Sequence, residues 1–307
     1  MHIKKRTYLS LTFAAVLLFH NLPGIADVNL PTKFSNQGGI SYTRHNLTQS
    51  GIGAGAINMN PYRNDYGEVC VYCHTPHGAN TTADLPLWNR TTNGNTYTTY
   101  DTLGTSTLTS DVQQPGINSL ACLTCHDGTL GVDSIINMPG SGGYNPAQQT
   151  SQNDAFLNQW NNATGADASV HIGLNGVNEA AGCLACHSAD AGIVGTGATN
   201  FQPYAIGTDL TNDHPVGISM PATGTGTDFN PPSGIRTDIR WFDNDGDNRP
   251  DASEIRFYDT GTGPRVECAS CHDPHGVSST GFGGKINSSF LRISNENSAV
   301  CLTCHVK

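Results

Sequence analysis

The chain is short of apolar residues, of positive charge and of regular periodicity, and each shortage excludes something. Only 36% of its 307 residues are hydrophobic, which leaves little side-chain material for an aliphatic core. Apolar periods of 3.6 or 2.0 residues are scarce, so long amphipathic helices and strands are not expected. Fifteen Lys and Arg stand against 25 Asp and Glu, a balance that argues against a nucleic-acid partner. No cysteine precedes Cys70, which excludes a lipid anchor on an N-terminal cysteine. The apolar stretch from Leu9 to Phe19 is too short to cross a bilayer.

That stretch fits a secretory signal over residues 1–26. Lys4, Lys5 and Arg6 form its basic start, and Gly24 and Ala26 are the small residues before cleavage. Removing it leaves 12 basic against 25 acidic residues and no membrane span. The mature protein is therefore expected outside the cytoplasm, either secreted to the cell surface or beyond, or retained in the periplasm.

What the chain does have is ten cysteines, and none stands alone. They form five Cys-x-x-Cys-His units: Cys70/Cys73/His74, Cys122/Cys125/His126, Cys183/Cys186/His187, Cys268/Cys271/His272 and Cys301/Cys304/His305. Zinc ribbons do not need a histidine directly after every second cysteine, and disulfide frameworks do not come in such pairs. The unit is the attachment signature of c-type haem, with the thiols bonded to the porphyrin and the histidine as proximal iron ligand. Five large flat haems would supply the core that the side chains do not. The expected fold is mostly irregular and loop-rich, with short helices at the attachment units, few short strands and a core of five stacked haems.

Ten histidines lie beyond the signal segment. Five are proximal, and His45, His77, His171, His214 and His275 remain, one for each iron. They are the expected distal ligands. Met59, Met138 and Met220 are possible substitutes, but no iron is left over for them. An iron closed by two histidines transfers electrons and has no open position for a substrate. An enzyme is therefore not expected, and His/His ligation favours low potentials. His275 cannot serve the iron held by His272, because the three intervening steps span at most about 10 Å.

Two stretches repeat. Cys-His-Thr-Pro-His-Gly from Cys73 precedes Pro86-Leu-Trp-Asn-Arg90 and CLTCHDG. Cys-His-Asp-Pro-His-Gly from Cys271 precedes Phe290-Leu-Arg-Ile-Ser-Asn295 and CLTCH. This pattern resembles the doubled Cys-x-x-Cys-His multihaem c-type cytochromes, among them secreted cytochromes of metal-reducing bacteria that polymerise into extracellular haem filaments. The filament-forming relatives have four, six or eight haems, so five is a departure. The resemblance implies conduction of electrons along a packed haem chain, head-to-tail self-assembly, and redox-partner cytochromes or minerals as acceptors. It also supports the Asp-His-Pro segment at His214 as a distal-ligand loop and suggests a histidine donated between subunits, for which His45 is the candidate. The alternatives are a non-polymeric periplasmic or outer-membrane-conduit carrier, and a reductase with one open haem. Pentahaem nitrite reductases fit poorly, because their active haem typically has a lysine where all five units here have histidine.

The chain then divides into a paired-haem region at 27–140, a middle haem region at 141–265 and a second paired-haem region at 266–307. We assign His77 to the Cys122/Cys125 haem and His275 to the Cys301/Cys304 haem. His171 and His214 go to the Cys183/Cys186 and Cys268/Cys271 haems in either order. By elimination His45 falls to the first haem, or to one in a neighbouring subunit.

The middle region ends in an acidic loop with the donor spacing of a calcium-binding EF-hand loop. Asp243, Asp245 and Asp247 occupy positions 1, 3 and 5, Arg249 offers its carbonyl at 7, and Asp251 and Glu254 take 9 and 12. Asn248 replaces the usual glycine at position 6, and Pro250 the usual apolar residue at 8. Flanks beginning at Ile239 and Ile255 alternate like strands, so a helix–loop–helix is not expected. One Ca²⁺ is the expected occupant.

Overall fold

Helical turns occur where the Cys-x-x-Cys-His units are. The computed structural model describes residues 35–48, 66–92, 94–137, 173–175, 182–189 and 200–306. The signal segment 1–26, His171, Met59 and Met138 lie outside them. Among the described residues there are three α-helices: α1 (Ile117–His126), α2 (Cys268–Cys271) and α3 (Ala299–Cys304). The first and third units sit on 3₁₀ turns, Val69–Tyr72 and Cys183–Ala185. In four units outside the regular span of α1, the histidine N–H donates to the carbonyl of the first cysteine, at 2.8 Å for His74, 2.9 Å for His187, 3.1 Å for His272 and 2.8 Å for His305. One turn thus brings both thiols and the imidazole of a unit together.

Five short strands form one antiparallel sheet in the order β1-β5-β4-β3-β2. They are β1 (Ile218–Ser219), β2 (Gly234–Arg236), β3 (Ile239–Trp241), β4 (Arg256–Asp259) and β5 (Pro264–Val266). Ile239 and Trp241 are buried on β3 while Arg240 between them is only half-buried, the period expected of a sheet with one covered face. Opposite Trp241 in the β2–β3 register stands Gly234. A Cβ there would overlap the indole ring, so only glycine lets β2 lie across Trp241.

Apolar side chains gather in three small clusters, each against an attachment unit. Tyr66, Val71, Tyr72 and Ile135 pack with Cys73. Tyr97, Leu123 and Leu210 pack around α1. Phe242, Ile255 and Phe257, at the sheet, pack with Met220, Cys271 and Cys304. Met220 is thus part of the sheet cluster.

Candidate haem sites and the acidic loop

Three of the five proximal histidines are held by the same backbone device. An antiparallel strap runs beside each one, bridging His74 to Trp88, His272 to Leu291 and His305 to Phe229. The strap N–H donates to the carbonyl of the second cysteine: Asn89 to Cys73, Arg292 to Cys271 and Asn230 to Cys304, all at 2.8 Å. The residue after each histidine donates back, Thr75 to Leu87, Asp273 to Phe290 and Val306 to Asp228, again at 2.8 Å. In the two repeated stretches the strap bends through positive φ, at Leu87 (52°) and at Ser289 and Phe290 (53° and 59°). The glycines closing Pro-His-Gly match as well, with φ of 66° at Gly78 and 86° at Gly276. The sequence repeat is a repeat in space.

The imidazoles are oriented through Nδ1. His74 Nδ1 donates to Pro86 O at 2.7 Å, His126 to Tyr204 O at 2.7 Å, and His272 to Ser289 O at 2.7 Å. His45 donates to Pro274 O at 3.0 Å, His214 to Pro215 O at 3.1 Å, and His275 to an Asp273 carboxylate oxygen at 2.9 Å. A carbonyl or carboxylate can only accept, so Nδ1 carries the proton in all six rings and Nε2 keeps its lone pair. Metal-ligating histidines are held in this way, with the other ring nitrogen donating to an oxygen.

Two of these rings face proximal histidines at close range. The centroids of His275 and His74 are 6.1 Å apart with planes 14° from parallel. Those of His45 and His126 are 6.2 Å apart with planes at 85°. Phe290 stacks on His45 at 4.2 Å. Both placements differ from the assignment made on sequence, which gave His275 to the Cys301/Cys304 haem and His45 to the first haem or a neighbouring subunit. Chain length excludes an iron that a histidine cannot reach; the folded path decides which of the others it meets. His214 lies near enough to His305 that a charge on His305 lowers its pKa, after the larger effect of burial. This too differs from its assignment to the third or fourth haem. His77 is exposed, with its carbonyl held by Thr75 Oγ1 at 2.8 Å and by Asn137.

All ten cysteines are free thiols. The expectation that the attachment thiols lie inside a core is corrected at three units. Cys70, Cys186 and Cys301 are exposed, whereas their pair mates Cys73, Cys183 and Cys304 are only partly so. The reason is that a single short turn has one covered face. At the third unit the buried Leu184 occupies that face. Cys186, which closes the turn by donating its N–H to Cys183 O at 3.3 Å, is left on the solvent side. Cys183 and Cys186 therefore meet the surroundings unequally, although both remain on the turn that ends at His187.

Burial pushes the thiols of Cys73, Cys183 and Cys304 up to about 12 and that of Cys271 up to about 11, so they remain protonated small hydrophobes. The thiols of Cys122 and Cys268, 146 positions apart, are in hydrogen-bond contact. Among the described residues, a convergent set of three or more Cys, His, Asp or Glu ligand atoms occurs only at Asp243, Asp245 and Asp247. The cysteines do not gather into the four-ligand sets that structural zinc needs. They are distributed as five separate thiol pairs, each with its imidazole, which fits covalent haem.

Several residues that support these units were not singled out on sequence. Glu267 is buried and links two attachment helices. It caps α2 while its carboxylate accepts from Gly116 N at 3.2 and 3.1 Å, and from Ser119 Oγ at the start of α1. Ser119 Oγ in turn accepts from Cys268 N at 2.8 Å. Burial pushes the Glu267 carboxyl up to about 7, against the opposing pull of these hydrogen bonds and Arg265. Two buried arginines act as clamps. Arg90 donates to Thr124 Oγ1, Thr124 O, Val132 O and Gly131 O at 2.8–3.3 Å. Arg292 donates to Ala269 O, Ala252 O and an Asp273 carboxylate oxygen at 2.8–3.2 Å. Their position in the repeated stretches was the available signal.

The acidic loop joins β3 to β4. Asp243, Asp245 and Asp247 bring one carboxylate oxygen each within 4.8 Å of one another. Asn248 has φ 59°, the left-handed conformation that position 6 requires. Glu254, buried, closes over the loop, accepting from Asn244 N at 2.7 Å and Asp251 N at 2.9 Å.

No protein-family model matches this chain, and no curated protein matches it in sequence. No helix among the described residues is long and apolar enough to cross a membrane.

Proposed function

We propose that the protein is a secreted pentahaem c-type cytochrome that carries electrons and transforms no substrate. The observation that carries this reading is the set of six imidazoles whose Nδ1 protons are committed to oxygens, two pairs of them ring to ring near 6 Å. Haem bound at each unit would supply a one-electron Fe(III)/Fe(II) couple. The chain's own part is to hold the five thiol pairs, to present Nε2 of each histidine, and to leave no position for a substrate. The acidic composition and signal-like N-terminus support export, and the Asp243–Glu254 loop would hold a structural Ca²⁺. Assembly into a head-to-tail extracellular filament rests on the repeated motifs, and a non-polymeric carrier would use the same residues. The placement of His45 against His126 of its own chain removes it as the natural candidate for donation across a subunit boundary.

The test is expression with a c-type maturation system. The expected product has five thioether-bound haems, an all-low-spin ferric spectrum and no carbon monoxide binding. Fewer attached haems, or one that binds carbon monoxide, would overturn the closed-iron reading. Electron microscopy of the secreted material decides between filament and discrete carrier.

A further inference from the structure

We propose that His275 is the sixth ligand of the iron at Cys70/Cys73/His74 and His45 that of the iron at Cys122/Cys125/His126, which makes the fourth unit the junction of the haem circuit. This rests on the c-type haem reading and goes beyond it by assigning ligands and neighbours.

The distances carry the assignment. A metal–imidazole bond is about 2 Å, and a five-membered ring with ~1.33 Å bonds has its centre about 1.1 Å from each atom. Two imidazoles on opposite sides of one ion therefore have centroids about 6.2 Å apart. The two observed pairs are at 6.1 and 6.2 Å. In all four rings Nδ1 is engaged with an oxygen, which leaves Nε2 as the ligating nitrogen. Direct ring contact accounts less well for them: the nearby His45–Phe290 stack closes to 4.2 Å, while both histidine pairs stand about one ion apart.

The junction follows from what lies around His272. His275 is three residues beyond it, so the first and fourth units are within about 10 Å of chain. Pro274, between them, orients His45 toward the second unit. The Cys122 and Cys268 thiols touch, and α1 and α2 share Glu267. Cys271 lies close enough to Cys301 and Cys304 for their charges to interact, as Cys125 does to Cys183. The spatial run is therefore third, second, fourth, fifth, with the first beside the fourth and second. Order along the chain is not order along the circuit.

The two pairs also differ in a measurable way. Near-parallel imidazole planes split the iron d orbitals that point between the ligand planes, giving an ordinary rhombic low-spin ferric signal. Perpendicular planes leave those orbitals nearly degenerate, giving a strongly anisotropic signal with one very large g value. At 14° the His74–His275 iron belongs to the first class, and at 85° the His126–His45 iron to the second.

A high-resolution structure of the five-haem protein tests the ligands directly. The expected result is His275 Nε2 on the first iron and His45 Nε2 on the second. Two histidines on each iron with other partners would overturn the assignment and leave electron transfer standing, whereas an open sixth position would overturn both. Low-temperature EPR of folded variants gives a second readout. His45→Ala should remove one haem's worth of the strongly anisotropic signal and add one high-spin haem. His275→Ala should instead remove one haem's worth of rhombic signal. The reverse pattern would sink the assignment.

Discussion

The carbonyl of Pro274 takes the Nδ1 proton of His45 across 229 positions of sequence, and the next residue, His275, faces His74. Two consecutive residues of the C-terminal paired unit thus address two different units of the N-terminal half. The ends of the chain are locked together through imidazoles rather than through a shared apolar core.

The Asp273 carboxylate accepts from His275 and is also held by Arg292. Burial pushes this acid up, but the His275 hydrogen bond and Arg292 overcome it and hold the pKa at about 2. A carboxylate on Nδ1 makes the imidazole a stronger donor to a ferric ion. Asp273→Asn should raise the potential of the iron that His275 serves. An effect of ~1 kcal/mol corresponds to roughly 40 mV for a one-electron couple. Redox titration of the variant against the parent protein checks it, and an unchanged set of potentials would remove Asp273 from this role.

Glu267 predicts a pH dependence of stability. Its folded pKa of about 7 lies above the ordinary value of 4.5, so the native state keeps a proton that the unfolded chain releases between them. Stability should fall as pH rises through that window and level off above it. The effect is on the order of 2–3 kcal/mol. Urea denaturation at pH 5 and 8 measures it, and Glu267→Gln should flatten the difference.

Arg90 is 1% exposed and bonds only to neutral oxygens on α1 and the segment that follows. Arg90→Met should destabilise the protein by about 3 kcal/mol or more, since it leaves buried carbonyls without donors. Arg90→Lys should recover only part of this, because an ammonium cannot span the fork of acceptors. Circular dichroism during denaturation reads both variants; equal stability of Lys and Arg would contradict the clamp.

Calcium at a hundredfold excess over its Kd should stabilise the folded protein by about 2.7 kcal/mol. Chelation should reverse this, and Glu254→Gln should abolish it. Thermal melts with and without chelator decide the matter: coincident curves for the parent protein would exclude a structural site in this loop.

Legibility in the sequence followed the range over which each feature is determined. The five attachment units, the repeat of Pro-His-Gly and the left-handed Asn248 are set by residues a few positions apart, where spacing is geometry. The strands flanking the acidic loop were legible for the same reason. The exposure of Cys186 was not, since the motif fixes which residues share a turn and not which face of that turn the rest of the chain covers. The partners of His45, His275 and His214 were equally hidden, because long irregular segments set their paths and no periodic signal records where those paths end. Glu267 was invisible as a single acid before a cysteine; its meaning comes from Ser119 and Gly116 on a helix that sequence places far away. The clamps Arg90 and Arg292 stood within the motifs quoted for the repeat, yet burial is what gives them a role.

The contact between Cys122 and Cys268 bears on how such a chain is made. In an oxidising compartment two touching thiols are a disulfide in waiting. On the proposed reading, thioether formation must therefore precede collapse, and the exported polypeptide has to be kept open until both cysteines have been capped. Haem-starved cells should accumulate a species crosslinked between these two residues, recoverable by reductant, and its rate of appearance would time the race between maturation and folding.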